Sequence, residues 1–401
     1  MQPPKSLPRL TIIPNTLVTF GGGERLAFEL TKLLENRFEV KIVNPRSKND
    51  LVRASKVKLL REFKIKRSQV VDVNCRSTRA KVFGTEEFLL MLPSFQGLRI
   101  LEKTVRDSDV VYCITHNPLL FLNASRFANK YRKKFVFAIQ NYVFSKIYEK
   151  HDVDIATKLG IPFYKALFAG VKYFHTLNSY DTKLIRDNIP SAKVYQTPYF
   201  IGIKDSKPSI GESRFEVLFV GRLPKYQKGV DLFCKSADKA IRAEKGIVFR
   251  VIGSGGDGEP QISALAKKYP NNVVWEGFKP YAEVKKAYAA ASLLVFTARG
   301  EELRYLPLVF IEAQSYGLPT VAFNGKGYEG ILTDGVEGSL IYPYDTDRFA
   351  DAIVKYYGVW KKDRNVYLKL KKKIAHITTE KFGEDALMPK MVQMLSPEET
   401  L

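Results

Sequence analysis

The sequence predicts an α/β protein of two doubly wound domains, each a parallel sheet with helices on both faces. Three observations predict it. Short continuous apolar runs alternate with amphipathic helical stretches, the pattern of buried parallel strands joined by crossover helices. The alternation restarts after TPYFIGIKDSKPSIGESR, a stretch rich in Pro, Gly and Ser. The 401 residues exceed one ordinary core and suit two domains of about 200 residues.

The elements follow in order. LTIIPNTL is a strand, ERLAFELTKLLENR an amphipathic helix and FEVKIVN a second strand. DVVYCIT, KFVFAIQ and YFHTLNS continue the series, separated by helical stretches. The second half repeats the logic with RFEVLFVG, the helix VDLFCKSADKAIRAE, then VFRVIG, NVVWEG, SLLVFTA and PTVAFN. The boundaries expected are 1–205 and 206–380, with 381–401 a last helix returning to the first domain. In sheets of this kind ligands lie at the carboxyl ends of the strands, so chemistry is sought there.

Composition narrows the classes. Hydrophobic residues make 45% and charged residues 26%, enough for a core in each half. Cys75, Cys113 and Cys234 are scattered without a CxxC pair, which points to a reducing cytoplasm and away from structural zinc. MQPPKSLPRL lacks the apolar core of a signal peptide, and no apolar run is long enough to span a bilayer. The net charge is +22, and residues 1–205 carry +17 of it. Such a surface favours anionic partners.

Three stretches carry chemistry. In LFVGRLPKYQKGVD, Gly221 ends a strand, Arg222 and Lys228 follow in the loop, and a helix starts near Val230. Two cations beside a helix N-terminus suit phosphate, although solvated loop cations would look the same. VFRVIGSGGDGE matches GxGxxG through Gly253, Gly255 and Gly258, with Glu276 ending the next strand. That is a weak dinucleotide fingerprint, because the third glycine precedes Glu259-Pro260 instead of lying inside a helix. A plain glycine turn fits equally. In RYLPLVFIEAQSYGLP a helix starting near Pro307 or Leu308 offers free backbone amides, and Glu312 follows about one turn in. Its carboxylate is placed to accept from vicinal hydroxyls, and its apolar flank argues against an ordinary surface glutamate.

In this order and spacing, FVGRLPKYQKGVD, VIGSGG, NNVVWEGF, LPLVFIEAQSYGLPTVAF and GKGYEGILTDGVEGSLIYP resemble the second domain of the retaining GT-B glycosyltransferases of family 4. The resemblance is close from about 216 to 356 and looser before. There FGGGERLAFELTKLL, DVVYCITHNPLL and FHTLNSYDTKLIRDN are similar to family stretches. It implies a GT-B fold, two Rossmann-like domains facing across a cleft. It also implies a nucleotide-sugar (UDP- or GDP-linked) donor on the second domain, an acceptor on the first, and no metal or other cofactor.

The family's cations on the donor diphosphate match Arg222 and Lys228, which would offset charge developing on the leaving group. Its ribose-binding glutamate matches Glu312. Leu308 and Val309 fall where backbone amides meet the diphosphate. Gly21, Gly22, Gly23 and Gly221 fall where the chain approaches the donor closely. The base is expected near Gly277 and Phe278. His116 and the pair Gln140 and Asn141 match sugar or acceptor contacts, though a histidine ending a strand is as much at home as a structural residue. One departure stands out: the family's first motif glutamate is replaced by Arg304, leaving Glu301 or Glu302 as candidates for its contact. The lone Asp152-Val153-Asp154 reads as a solvated loop.

LVRASKVKLLREFKIKRSQ, residues 51–69, interleaves seven cations and one acid with apolar residues. At helical spacing it reads as a basic amphipathic face suited to an anionic membrane surface, or as a helix packed on its own sheet. IPFYKALFAGVKYF reads mainly as a helix the fold needs. The expectation is therefore a cytoplasmic enzyme, peripheral on the membrane, with a lipid-linked or glycan acceptor. A soluble transferase making a polysaccharide or small glycoside is the nearest alternative. An NAD-dependent oxidoreductase leaves Arg222, Lys228 and Glu312 unexplained, and no motif supports nucleic acid as a partner.

Overall fold

The computed structural model describes residues 6–14, 22–47, 60, 63–80, 88–115, 117–139, 144, 147–148, 155–198, 208, 214–299, 307–328 and 330–397. The chain divides into two compact units, Met1–Gly202 with Glu384–Leu401, and Ile203–Gly383. The break expected at 205 falls at 202, and the one expected at 380 falls at 383.

The first unit holds strands β1 (Arg9–Ile13), β2 (Glu39–Ser47), β3 (Val70–Ala80), β4 (Phe88–Pro93), β5 (Val110–Cys113), β6 (Lys134–Ala138), β7 (Tyr173–Thr176) and β8 (Lys193–Gln196). They form one sheet in the order β4-β3-β2-β1-β5-β6-β7-β8. Its described helices are α1 (Gly22–Leu34), α2 (Phe95–Arg106), α3 (Pro118–Lys130), α4 (Ile155–Ala169), α5 (Ser179–Asn188) and, from the C-terminal segment, α13 (Glu384–Leu395).

The five apolar runs read from the sequence are β1, β2, β5, β6 and β7, the centre of the sheet. Burial on both faces produces the continuous apolar signal there. The strands not anticipated, β3, β4 and β8, lie toward the edges. The fully parallel sheet expected is corrected at β4, which runs antiparallel to β3 with Cys75 opposite Pro93. The edge strand KVYQ and the next-to-edge strand VVDVNCRSTRA carry polar residues that break a continuous apolar run, so they give little warning. Helix ends follow local rules: the Ser94 hydroxyl caps α2 by accepting from Gly97 N–H at 3.0 Å, and Asn117 caps α3.

Most of the basic stretch 51–69 lies outside the described residues. Of its apolar side chains, Leu60, Phe63 and Ile65 pack with Phe28, Ile42 and Val70, and the Phe63 and Phe28 rings stack at 5.5 Å. Those three therefore pack against their own sheet, Ile65 buried and Leu60 and Phe63 partly so. In α4, Tyr164 and Phe168 belong to the core of the unit, as a helix demanded by the fold should. Asp152–Asp154 lie outside the described residues.

The second unit has strands β9 (Phe215–Val220), β10 (Ile247–Ile252), β11 (Val273–Trp275), β12 (Leu293–Phe296), β13 (Thr320–Phe323) and β14 (Gly338–Ile341). All pairs are parallel, in the order β11-β10-β9-β12-β13-β14. Its helices are α6 (Lys225–Lys228), α7 (Val230–Ala243), α8 (Glu259–Lys268), α9 (Tyr281–Ala290), α10 (Leu308–Ser315), α11 (Thr346–Lys362) and α12 (Arg364–Phe382). In α7 the buried set Val230, Phe233, Ala237, Ala240 and Ile241 keeps helical spacing, so one stripe enters the core. Phe233 is fully enclosed, where an aromatic ring contributes about 2 kcal/mol of burial. The chain runs outward from β9 through β10 to β11, then jumps to β12 on the other side of β9. That jump makes β9 and β12 the topological switch point, where a doubly wound sheet opens a crevice.

Candidate donor site at the carboxyl ends of the second sheet

Gly221 and Arg222 follow β9, and Thr297, Ala298 and Arg299 follow β12, so all five sit at the switch point. The loop after β9 crosses to β12 through α6 and turns at Gly229, which adopts φ 61°. A Cβ on Gly229 would lie 1.8 Å from the Thr297 carbonyl oxygen, so only glycine fits. The Thr297 hydroxyl donates to the carbonyls of both Lys228 and Gly229 at 3.0 Å. Arg299 completes the junction. Its guanidinium makes two 2.6 Å bonds to the Asp231 carboxylate and a third, 3.3 Å, to the Lys225 carbonyl, while its backbone amide donates to Gln227.

This pair is 17% exposed on each side, shielded enough for a bidentate Arg–carboxylate contact to hold a fixed geometry. Burial pushes the Asp231 carboxyl up, but the hydrogen bonds and charge of Arg299 outweigh it and hold the group below its ordinary range. The same bonds raise the Arg299 guanidinium further.

Lys228 is thereby set at the mouth of the crevice. Its ammonium lies 5.5 Å from the centre of the Phe296 ring. Phe296 meets Phe310 edge-on at 5.0 Å, and Phe310 is in the first turn of α10. The Arg222 guanidinium reaches the Gln227 side chain at 3.5 Å, beside Lys228. The two predicted cations therefore flank one short loop.

α10 begins at Leu308, and among the described residues no side chain caps it. First-turn amides have no intrahelical acceptor, so those of Leu308 and Val309 are available to an anion, and the helix dipole favours one. Glu312, in the same helix, is 7% exposed. Tyr288 of α9 donates its hydroxyl to Glu312 Oε2 at 2.8 Å, which fixes the carboxylate. Tyr316 stacks on Tyr288 at 6.0 Å, and burial followed by the nearby Glu312 charge pushes its phenol up.

The GxGxxG match has a structural explanation. A Cβ on Gly253 (φ 151°) would meet the Gly221 carbonyl oxygen at 1.7 Å, so the two turns lie against each other. Gly221 N–H bonds to Ile252, Leu223 N–H to Gly255, and Lys225 N–H to the Asp257 carboxylate. The glycine turn thus braces the Arg222 loop. Glu276, the candidate acid of the fingerprint, is engaged by Arg250 at 2.6 Å and Lys279 at 3.3 Å. Gly258 is the residue before α8, as read from the sequence, so it does not lie within the helix as the dinucleotide fingerprint requires. Past β11, Gly277 adopts φ 68° and leaves the Phe278 ring 66% exposed at the edge of the same face.

Other predicted residues fall elsewhere. Gly22 and Gly23 open α1 in the first unit. Gly21, His116, Gln140, Asn141, Glu301, Glu302 and Arg304 lie outside the described residues. A different histidine, His175 on β7, is buried and structural. Its Nε2 lies 2.8 Å from the Thr197 hydroxyl and 2.9 Å from the Thr197 carbonyl, and its Nδ1 lies 2.7 Å from the Tyr112 hydroxyl, so both ring nitrogens are engaged. Burial lowers its pKa to about 4.

The cysteines are free. Burial pushes the Cys113 thiol up and that of Cys234 up to about 12, the opposite of nucleophile activation. Among the described residues no group of three His, Cys, Asp or Glu could hold a metal ion, and no helix is long and apolar enough to cross a membrane. Asp231, Thr297, Arg299 and Tyr288 were not singled out from sequence. The one signal was Asp231 in QKGVD, an acid in the first turn of α7.

Residues 214–358 match the family model described as glycosyl transferases group 1. That segment of the second unit is similar to the group 1 glycosyl transferases. Curated relatives align over a similar length of chain. The α-D-kanosaminyltransferase of Streptomyces kanamyceticus is 29% identical over 139 residues, 34% of this chain and 35% of that protein. A D-inositol 3-phosphate glycosyltransferase of Segniliparus rotundus is 33% identical over 138 residues, 33% of this chain and 30% of that one. The alignments thus span about a third of the relatives' length. The whole chain has the GT-B fold. The structure of TarM superposes with a TM-score of 0.73 at 13% identity, covering 98% of this chain and 99% of that one. HepE of Anabaena, solved with UDP, gives 0.71 at 16% identity, covering 97% and 99%.

Proposed function

We propose that the chain is a retaining hexosyltransferase that moves a sugar from a nucleoside-diphosphate sugar, UDP- or GDP-linked, to an acceptor hydroxyl. One observation carries the reading. Arg222, Lys228, the uncapped start of α10 and the buried Glu312 meet the carboxyl ends of strands at one switch point. Two cations and a helix N-terminus suit a diphosphate, and a carboxylate fixed by Tyr288 suits a ribose diol.

In this reading the glycosidic C–O bond to the diphosphate breaks, and Arg222 and Lys228 take up the charge developing on the departing oxygens. The acceptor oxygen bonds to the anomeric carbon on the face the diphosphate leaves. Its proton passes to a departing phosphate oxygen, so no protein nucleophile is assigned. Two side-chain cations supply the positive charge, and the step as proposed calls for no metal. Phe278 is the stacking surface for the base. Two of the similar proteins, HepE of Anabaena and TarM of Staphylococcus aureus, were solved with UDP, which supports the uracil donor. The first unit, with His116, Gln140 and Asn141, is assigned the acceptor.

The acceptor class follows from charge. Residues 1–205 carry most of the net +22, which favours a lipid-linked or membrane-associated saccharide and a peripheral place on the cytoplasmic face. A specific observation favours the second reading, a soluble transferase: Leu60, Phe63 and Ile65 are spent on the sheet and leave electrostatics as the membrane term.

The test is calorimetry against UDP-, GDP- and ADP-sugars, with turnover of the donor that binds. Lys228→Ala and Glu312→Ala are each expected to weaken turnover severely, and wild-type rates in both would sink the proposal.

A further inference from the structure

Lys371, in the middle of α12, is fully buried in the second unit. Its ammonium donates at 2.9 Å to the carbonyl of Ala291, the residue that closes α9. Tyr367, one turn earlier in α12, donates to the next carbonyl, that of Ser292, at 2.8 Å. We propose that Lys371 is a positioning residue for the nucleotide-sugar site: its charge seats the end of α9 and so fixes Glu312 through Tyr288. The role rests on the donor reading of Glu312.

Three observations carry it. The first is connection. Tyr288 lies about one turn before Ala291 on α9, and its hydroxyl holds the Glu312 carboxylate. Glu312 belongs to α10, and the chain leaves that helix through Gly317 with φ 75°. A Cβ on Gly317 would lie 2.3 Å from the Lys371 carbonyl oxygen. The two helices that bring Tyr288 and Glu312 together therefore both rest on α12 at Lys371.

The second is cost. At Ser292 a neutral tyrosine hydroxyl does the anchoring, so holding a carbonyl here needs no charge. An ammonium taken out of water toward a neutral acceptor lowers stability. The C-terminal end of α9 carries about half a negative charge and offsets part of that loss. A destabilising group kept beside a ligand site fits the trade of stability for activity.

The third is titration. Burial lowers the Lys371 pKa to about 8, and no charged neighbour contributes to the shift. The titratable groups on the helices around it are Tyr288 of α9, Glu312 of α10 with Tyr316 at its end, Tyr356 of α11 and Tyr367 of α12 itself. Glu283 and Lys286 of α9 pair with each other in solvent. Above about pH 8 the amine loses its charge and with it the attraction of the helix end. Stability moves the other way. The unfolded chain holds this proton up to about pH 10.5, so stability rises with pH between the two values.

Calorimetry of the full-length chain with UDP and with GDP tests the role, beside thermal melts. Lys371→Met keeps the length of the side chain and removes the charge. At about pH 7 its melting temperature is expected to rise by at least about 2 °C while nucleotide affinity falls about tenfold. In the unsubstituted chain affinity should fall about tenfold from about pH 7 to about pH 9, as the charged fraction drops to about a tenth. Lys371→Met should abolish that dependence. Wild-type affinity in Lys371→Met overturns the proposal, as does a joint loss of stability and affinity, the mark of a merely structural residue. A flat pH profile of the unsubstituted chain overturns it without any variant. Glu312→Ala separates the two levels. Unchanged affinity there removes the donor reading and this role with it, whereas weakened affinity there beside an unaffected Lys371→Met removes this role alone.

Discussion

Arg299 grips Asp231 through two parallel 2.6 Å bonds, and this pair ties the end of β12 to the start of α7. Between those points lie Lys228 and Gly229, held by the Thr297 hydroxyl. The cation proposed to meet the donor diphosphate is thus positioned by a neighbouring ion pair and a threonine, not by its own flexible stem.

Arg299→Ala leaves Asp231 as a half-shielded charge without its fork. The cost to stability is about 2 kcal/mol, below the range for a fully buried pair because solvent screens part of it. Nucleoside-diphosphate affinity should fall about tenfold with it, measured by calorimetry. Arg299→Lys should recover stability only partly, since an ammonium cannot make the bidentate contact. Full recovery of both quantities would show that charge alone, not geometry, holds the loop.

Gly229→Ala places a Cβ 1.8 Å from the Thr297 carbonyl oxygen, on a backbone with φ 61°. Either the turn moves or the strand end does. A loss of at least about 2 kcal/mol is expected in chemical denaturation, as for other overpacked sites of special backbone geometry. Gly255, whose Cβ would meet nothing within 4 Å, is the control for positive φ without the clash. Equal losses in the two variants would refute the steric argument.

Tyr288→Phe removes the hydrogen bond that fixes Glu312 and leaves the carboxylate otherwise in place. A hydrogen bond to a charged group contributes about 1.5–3 kcal/mol, so donor affinity should fall by about ten- to a hundredfold while the fold is retained. Glu312→Gln should lose more, because the amide presents only one acceptor oxygen to a diol. If Tyr288→Phe bound the donor as wild type does, orientation of Glu312 by Tyr288 would be irrelevant.

His175 sets a pH dependence. Burial lowers its pKa to about 4, against about 6.5 in the unfolded chain, so between these values the unfolded state binds the extra proton. Stability from this group is complete above about pH 6.5 and is lost as pH falls toward 4, a difference on the order of 3 kcal/mol. His175→Gln should flatten that part of the urea-midpoint against pH curve. An unchanged slope would place the acid sensitivity elsewhere.

The central strands were legible because burial on both faces writes a continuous apolar run into the chain. β3 and β8 were not, because strands toward an edge tolerate polar residues such as those of VVDVNCRSTRA; β4, FLLMLP, is apolar throughout and was simply not read as a strand. Arg222, Lys228 and Glu312 were legible as residue types at strand ends and helix starts. The glycine turn was legible as a turn, but its partner was not. That Gly253 lies against Gly221 follows from β9 and β10 being neighbours in register, Val220 opposite Ile252.

The sequence by itself determined the alternation of elements, the restart of the pattern in the second half, and the local chemistry of FVGRL, QKGVD and LVFIEA. These depend on neighbours a few residues apart, whose spacing the chain states directly. Only the tertiary structure decided that Arg299 belongs to Asp231, 68 residues away, that Tyr288 belongs to Glu312, and that Glu276 is taken by Arg250. Those pairings depend on strand order. The jump from β11 to β12 brings distant segments together at one sheet end, and no local spacing records which charges will then meet.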